Sequence, residues 1–288
     1  MNRYLSELCF AILLMSLCIG ILSADATKHI FVAVDNGSHS LHYVDQFDPA
    51  TNWTVNTDEK PRDIRLSTDK KIILISVDSG AVEYDLATGK KTGFSITNYE
   101  GIQSAQKLKD GNYLLATEST LFVCDPTGKQ IKTIPVATDS TPYIRIVTVT
   151  REDTLLYTAK EPYCINELDM NGKVIATVRL PEKSYKVLRL DNGNYLASSG
   201  DLVSVLEVSP KGEVLKAYGG RKNHPELDLT FNSGWQQLSN GNVVATCWHG
   251  HGYKGNGPHL VEYSPSNEVV WTWSCSEASQ ITNVLVLK

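Results

Sequence analysis

A repeated strand–turn–strand unit is the feature of this sequence that most restricts its fold. Residues 106–116 (QKLKDGNYLLA), 188–197 (LRLDNGNYLA) and 236–245 (QQLSNGNVVA) share one pattern, and residues 64–74 and 147–156 carry weaker copies. Self-similarity at a fixed period is typical of a repeat architecture in which each unit is one supersecondary structure. One apolar position recurs at intervals of 42, 41, 41, 48 and 48 residues: Leu66, Leu108, Val149, Leu190, Leu238 and Val286.

A second hairpin follows the first in each unit. It is clearest in residues 121–134 (LFVCDPTGKQIKTI), 205–215 (VLEVSPKGEVL) and 260–271 (LVEYSPSNEVVW). Asn-Gly, Asp-Gly and Pro-x-Gly clusters supply the positive φ angles of tight turns, and the flanking residues are rich in Val, Ile, Leu and Tyr. Each unit therefore predicts four short antiparallel strands, and the chain shows no helical periodicity.

Units of four strands at this spacing predict an all-β fold, a six-bladed β-propeller that fills residues 27–288 as a single domain. Residues 28–55 hold three predicted strands, whereas residues 281–287 hold one. We expect the C-terminal strand to complete the N-terminal blade as its innermost strand and so close the ring. The predicted blades are 28–57 with 279–288, then 61–97, 102–138, 143–181, 184–220 and 231–275.

The first 26 residues resemble a signal peptide. An apolar stretch at residues 8–22 is followed by Ser-Ala-Asp-Ala, which suits a cleavage site of small residues. We expect a mature chain that begins near Thr27 and is secreted, periplasmic or attached to the cell surface. A lipid anchor on Cys18 stays open as an alternative. The apolar stretch of 15 residues is short for a transmembrane span, and no other apolar run reaches that length.

Charge and cysteine content narrow the possible partners. The net charge is -5 and no basic block occurs, so the sequence gives no support for nucleic-acid binding. Four cysteines lie after the leader, and their spacing contains no Cys-x-x-Cys motif. We expect a monomer without a cofactor, and leave calcium or zinc open, along with a bridge between Cys247 and Cys275.

The repeat also resembles that of two groups of secreted bacterial propellers. Residues 84–90 (YDLATGK) are similar to a quinoprotein repeat, and residues 262–273 (EYSPSNEVVWTW) are similar to the arylsulfotransferase version. The resemblance implies the fold over nearly the whole mature chain. It implies no activity, because neither the quinone site nor the arylsulfotransferase histidines can be matched residue by residue.

Two long loops predict a binding corner beside the sixth blade. Residues 219–232 lead into this blade and residues 248–259 lie inside it, and both loops are expected on the same face. Long loops on a rigid scaffold often carry binding residues. Tyr253 lies in the second loop, and Trp235 follows the first, where its ring could stack on a sugar or an aromatic ligand.

Histidines in the second loop could serve several roles. His249 and His251 could ligate a metal together with His259 or His224, since neutral imidazole is a common ligand. They could equally contact a ligand without metal, or pack inside the loop. The glycine-rich spacing does not distinguish these readings.

The predicted inner strands are basic, although the whole chain is acidic. The five residues that end at each repeat position contain one acid, Asp63, and six basic residues: Arg62, Arg65, Lys107, Arg145, Lys186 and Arg189. Because inner strands line the central channel, the channel is expected to attract a carboxylate, sulfate, phosphate or acidic sugar. The alternative is that these side chains bond carbonyl groups between blades.

Two functional hypotheses follow. The first is an exported binding module for an anionic small molecule or glycan. The second is a transferase or hydrolase on the same scaffold that uses His249 or His251, with or without a metal. A protein partner is a third possibility. The predicted ligand contacts are Arg145, Lys186, Arg189, Trp235, His249, His251, Tyr253 and His259, and catalytic residues are not identified.

Overall fold

The computed structural model describes residues 27–250 and 257–288. In these residues the chain forms six antiparallel sheets arranged as the blades of a propeller. The helical segments among them are three single 3-10 turns, at Pro49–Thr51, Gly200–Leu202 and Pro225–Leu227. The six-bladed propeller predicted from the repeat is confirmed. The predicted signal peptide, residues 1–26, lies outside the described residues.

The strands follow one another blade by blade. Blade 1 contains β1 (Ile30–Asp35), β2 (Ser40–Asp45) and β3 (Trp53–Asn56). Blade 2 contains β4 (Ile64–Leu66), β5 (Ile72–Val77), β6 (Gly80–Asp85) and β7 (Lys91–Ile96). Blade 3 contains β8 (Ser104–Lys107), β9 (Tyr113–Ala116), β10 (Leu121–Cys124) and β11 (Gln130–Ile134).

The second half continues the pattern with one irregularity. Blade 4 has a split inner strand, β12 (Thr141–Pro142) and β13 (Thr148–Val149), followed by β14 (Leu155–Lys160), β15 (Cys164–Leu168) and β16 (Val174–Arg179). Blade 5 contains β17 (Val187–Arg189), β18 (Tyr195–Ser199), β19 (Ser204–Val208) and β20 (Val214–Gly219). Blade 6 contains β21 (Trp235–Gln237), β22 (Val243–Thr246), β23 (Leu260–Tyr263) and β24 (Val269–Trp273).

The last strand, β25 (Ile281–Val286), closes the ring. It pairs antiparallel with β1, so that Phe31 faces Val286 and Ala33 faces Val284. The N-terminal blade thereby gains its fourth, innermost strand, as the sequence predicts. No helix among the described residues is long and apolar enough to cross a membrane.

The apolar core is divided among the blade interfaces. Within the described residues, six buried clusters occur, one between each pair of neighbouring blades. Both faces of each sheet are therefore covered, which explains why several strands are apolar without strict alternation. At the first hairpin of three blades, Gly111, Gly193 and Gly241 have φ angles of 89°, 83° and 87°, which confirms the predicted role of the repeated turn.

Buried polar contacts join the blades as well. Glu167 of blade 4 accepts hydrogen bonds from the Tyr195 hydroxyl at 2.9 Å and from Arg189 at 3.1 Å, both of blade 5. Glu262 of blade 6 lies 2.6 Å from Nε2 of His29, which precedes β1. All four cysteines among the described residues are free thiols, so Cys247 and Cys275 are not bridged in this structure.

Candidate functional site

A cavity of about 310 Å³ opens at the centre of the ring, on the face where the inner strands begin. Its wall is built from all six blades. The sequence positions involved are far apart, because each blade contributes only the residues at the start of its inner strand or in the loop between its second and third strands. The lining residues are Asn36, Thr282, Arg62, Gln103, Tyr143, Arg145, Ile146, Lys183, Tyr185, Ser233 and Trp248.

Cationic side chains line the cavity, and acidic side chains of the described residues do not. Arg62, Arg145 and Lys183 border it, and no Asp or Glu does so within residues 27–250 and 257–288. The acidic partners of these cations, Asp78, Glu118 and Asp201, do not line the cavity and lie 3.2, 3.2 and 2.9 Å from Arg62, Arg145 and Lys183 respectively. These acids are about half exposed, and such solvent-exposed ion pairs contribute little free energy. An anion in the cavity could therefore compete for the cations.

The rings of Tyr143, Tyr185 and Trp248 line the same cavity, and Phe231 contacts the last two, so that the four rings form an arc. The ring centroids are 5.7 Å apart for Tyr143 and Tyr185, 5.3 Å for Tyr185 and Phe231, and 5.6 Å for Phe231 and Trp248. The Arg145 guanidinium lies 4.5 Å from the centroid of the Tyr143 ring. Rings combined with cations can bind a ligand that has both an apolar face and a negative group.

The split inner strand of blade 4 positions two side chains of the cavity wall, Tyr143 and Arg145. Between β12 and β13 the backbone forms hydrogen bonds with the two neighbouring blades. Ile144 N–H donates to the Glu118 carbonyl at 2.9 Å, and Ile146 N–H donates to the Tyr185 carbonyl at 3.0 Å. The first partner belongs to blade 3 and the second to blade 5. This detour places Tyr143 and Arg145 at the cavity wall.

The two phenols and the guanidinium form one hydrogen-bonded group. Arg145 Nη2 donates to the Tyr143 hydroxyl oxygen at 3.1 Å, and the Tyr143 and Tyr185 oxygens are 3.2 Å apart. Arg145 Nη1 donates to Gln103 Oε1 at 3.1 Å. Burial opposes ionisation of Tyr143, but hydrogen bonds from Tyr185 and Arg145 outweigh it, so the pKa of this phenol lies below its ordinary value.

A polar network fills the channel beneath the cavity. The buried Asp63 carboxylate accepts hydrogen bonds from Arg65 at 2.9 Å and from the Ser104 hydroxyl at 2.6 Å. Lys186 Nζ donates to Asn283 Oδ1 at 3.2 Å. Burial, followed by repulsion from Arg65, lowers the pKa of Lys186 to about 8. Asn283 Nδ2 also donates to Asp63 Oδ1 at 3.4 Å, so the network joins groups of blades 1, 2, 3 and 5.

The predicted contact residues do not all lie together. Arg145 lines the cavity, and Lys186 lies in the channel network beneath it. Arg189 is at the opposite end of its strand, where it pairs with buried Glu167 at 3.1 Å. Trp235 is 1% exposed and packs in the core between blades 5 and 6, with Lys186 Nζ 5.7 Å from its ring centroid.

The loop of residues 248–259, which holds three of the predicted histidines, is only partly described. His251 and Tyr253 lie outside the described residues. His249 is buried and does not line the central cavity, and its ring centroid is 5.0 Å from that of His259. His259 accepts a hydrogen bond from the Cys275 N–H at 3.4 Å. Among the described residues no group of three or more His, Cys, Asp and Glu side chains is placed to hold a metal ion.

The thiol of Cys247 lies beside His249. Cys247 Sγ accepts the Thr230 N–H at 3.4 Å. Burial opposes ionisation of this thiol, but His249 and Thr230 together outweigh it, and the pKa of Cys247 lies below its ordinary value. The interaction with Cys247, larger than the effect of burial, raises the pKa of His249.

Sequence reasoning missed several lining residues. Tyr143, Tyr185 and Lys183 precede inner strands, at positions where the repeat shows no shared residue. Arg62 was visible only as part of the basic bias of these strands. The sequence places a tyrosine close to a basic residue just before the inner strands of blades 4 and 5, and this pattern was a signal for the site. The repeat alone does not reveal that both pairs face one cavity.

No protein-family model matches the sequence, and no curated protein is similar to it. Solved structures are similar in fold. A protein of unknown function from Bacteroides caccae has a TM-score of 0.73 at 19% identity, over 91% of this chain and 100% of that one. The WD40 β-propeller domain of Doa1 has a TM-score of 0.61 at 14% identity, over 91% and 90% of the two chains. A streptogramin B lyase has a TM-score of 0.60 at 11% identity, over 91% and 88%.

Proposed function

We propose that the protein is an exported binding module that holds an anionic small molecule or an acidic glycan in the cavity at the centre of the ring. The observation that carries this proposal is the charge arrangement of the wall. Arg62, Arg145 and Lys183 border one cavity of about 310 Å³, and the acids that pair with them do not line it. A negative group can be held by several cations at once in such a site.

The aromatic arc favours a ligand that also has a flat apolar face. Tyr143, Tyr185 and Trp248 all border the cavity. Sugar rings and aromatic rings both stack on such side chains, and a carboxylate or sulfate on the same ligand would reach the neighbouring cations. Uronic acids and sulfated sugars combine these two properties.

Export is supported by the N-terminal sequence pattern alone. The structural neighbours do not select a function, because a WD40 domain and a lyase share the fold with this chain at 14% and 11% identity. The site therefore carries the functional argument.

A thermal-shift screen tests the proposal. The mature protein is melted with glucuronate, galacturonate, a sulfated sugar, and glucose as the neutral control. A ligand at about 100 times its dissociation constant adds about 2.7 kcal/mol to stability. We expect the acidic sugars to raise the melting temperature and glucose to leave it unchanged. Equal effects of glucuronate and glucose would contradict the role of the cations.

Matched variants assign the site. Arg145→Gln removes a lining cation, whereas Arg151→Gln removes an exposed arginine just after the inner strand of the same blade, on the opposite face. Losing one charge-assisted hydrogen bond is expected to weaken glucuronate binding about 10- to 100-fold. Arg151→Gln should leave binding unchanged. If the two variants weaken binding equally, the central cavity is not the site.

A further inference from the structure

The phenol of Tyr143 occupies an unusual electrostatic position at the cavity wall. Its oxygen accepts a hydrogen bond from Arg145, which has no capacity to accept, and it contacts the Tyr185 hydroxyl at 3.2 Å. Two cations lie over its ring, with Arg145 at 4.5 Å and Lys160 Nζ at 4.9 Å from the centroid. Donors and cations around an oxygen stabilise its ionised form, so this phenol is set up to give and take a proton.

The charged groups around Tyr143 are mostly positive. Burial, the largest single effect, and the Glu118 carboxylate raise the pKa of the Tyr143 phenol, but the hydrogen bonds from Tyr185 and Arg145 and the charge of Arg145 together outweigh them. Lys160 faces the ring, and the charge of Tyr143 contributes to raising the pKa of Lys183. The sum favours the phenolate at a lower pH than for an ordinary tyrosine.

The wall also limits the kinds of chemistry available to these residues. Glycoside hydrolysis ordinarily needs two carboxyl groups on either side of the scissile bond. Within the described residues, no Asp or Glu lines the cavity. Proton abstraction next to a carboxylate needs a different set of groups: a base, and cations that neutralise the carboxylate so that the neighbouring C–H becomes more acidic. Tyr143 and Arg145 are such a set.

We infer that Tyr143 is a catalytic acid–base residue and that the central cavity carries out β-elimination on a carboxylated ligand, such as a glycan built from uronic acids. This inference rests on the binding function proposed above. Arg145 would hold the carboxylate next to the phenol, and Tyr185 is a positioning residue that donates a hydrogen bond to Tyr143.

The reaction balances without water, metal or oxidant. The Tyr143 phenolate takes the proton from the carbon next to the carboxylate, and the electron pair of that C–H bond forms a carbon–carbon double bond. The bond from the β-carbon to oxygen breaks at the same time or afterwards, and its electrons go to the leaving oxygen. That oxygen then takes the proton back from the Tyr143 phenol. The products are an unsaturated carboxylate and an alcohol, and the enzyme is regenerated.

The test uses the mature protein and soluble polyuronates: polygalacturonate, alginate and hyaluronan, with dextran as a neutral control. Appearance of the ultraviolet absorbance of a conjugated unsaturated carboxylate reports elimination. Exchange of the α-proton with deuterium from heavy water reports proton abstraction even where no bond is cleaved. We expect at least one uronide to give both signals and dextran to give neither.

Three variants assign the role. Tyr143→Phe removes the base and should lower turnover by about 10²- to 10⁴-fold while glucuronate or polyuronate binding is retained. Tyr185→Phe removes a donor that lowers the pKa of Tyr143, so the acidic limb of the pH–rate profile should move to higher pH. Tyr163→Phe changes an exposed tyrosine outside the cavity and should match the wild type.

The outcomes separate this inference from the binding proposal. A uronide that binds in the cavity but yields neither unsaturated product nor deuterium exchange overturns the catalytic role and leaves the binding function standing. Turnover that survives in Tyr143→Phe overturns the assignment of the base. Failure of every acidic ligand to bind overturns the binding proposal itself. Should Tyr143→Phe be misfolded, the pH shift in Tyr185→Phe decides the question alone.

Discussion

Asp35 is expected to hold the closed ring together, and the variant Asp35→Asn tests this. The carboxylate is fully buried at the end of β1. Its Oδ1 accepts N–H groups of Gly37 at 2.9 Å and Gln280 at 3.0 Å, and its Oδ2 accepts the Ser279 N–H at 2.7 Å. The last two donors belong to the segment that leads into β25. One side chain thus ties the first hairpin to the closing strand.

The magnitude follows from these contacts. Asparagine keeps an oxygen for the Oδ1 contacts but places an NH2 group against the Ser279 N–H, which leaves a buried donor unpaired at a cost of about 1–3 kcal/mol. The remaining bonds lose a charged acceptor, which weakens them by about 1 kcal/mol more. We expect Asp35→Asn to lose about 2–4 kcal/mol, and at about 2–4 °C per kcal/mol the melting temperature should fall by about 5–15 °C.

The loss should also depend on pH. Burial opposes ionisation of Asp35, but the His42 imidazole 3.7 Å away and the N–H groups of Gln280 and Ser279 outweigh it and hold the pKa of this carboxyl well below its ordinary value of 3.8. A depressed pKa contributes stability above the unfolded value, and this contribution is lost as the pH falls through the folded value. The difference between wild type and variant should therefore be constant near neutral pH and shrink below about pH 4.

Calorimetric melts at neutral and acidic pH provide the measurement. Asp191→Asn is the control, because Asp191 is a highly exposed carboxylate paired with Arg151 on the surface, and its change should stay within about 0.5 kcal/mol. If Asp35→Asn melts together with the wild type at neutral pH, the carboxylate does not hold the ring closed. A gap that does not narrow in acid would refute the pH argument.

Three further predictions concern stability. Burial lowers the pKa of His29, but Glu262 and the Lys288 carbonyl together outweigh it and raise this pKa above 6.5, while the pKa of Glu262 is lowered below 4.5 because its hydrogen bonds outweigh burial. The raised pKa of the histidine contributes stability below its unfolded value, and the lowered pKa of the glutamate contributes stability above its own unfolded value. Urea unfolding should therefore show that His29→Gln costs most stability between about pH 4.5 and 6.5, and less at higher pH. Glu167→Ala leaves a buried tyrosine hydroxyl and an arginine unpaired and should cost about 3 kcal/mol by urea unfolding. Deletion of residues 280–288 removes β25 and should abolish the cooperative melt, because the first blade loses its inner strand; a normal melt would mean that the ring does not need it.

The fold was predictable because its determinants are local and repeated. The turn residues around Gly111, Gly193 and Gly241 are set by backbone conformation within a few residues, and they recur at each blade. The unequal strand numbers at the two ends were enough to predict the pairing of β1 with β25. The detour in the inner strand of blade 4 was not predictable, because it is stabilised by carbonyl groups of Glu118 and Tyr185 in other blades.

The site was less predictable because it is assembled across the whole ring. Loop length directed attention to the sixth blade, where His249 is buried away from the central cavity. The basic bias of the inner strands did identify Arg145, which lines the cavity. It did not separate Arg145 from Arg189, since the two side chains lie at opposite ends of their strands and only a structure shows that they line different cavities.

The central claim is that an acidic ligand binds over the ring centre, and a crystal structure of the protein with an oligouronide tests it most directly. We predict ligand density in the cavity lined by Arg62, Arg145 and Lys183, with a carboxylate within hydrogen-bond distance of Arg145. Density only on the opposite face, or only at the loops of the sixth blade, would contradict the account.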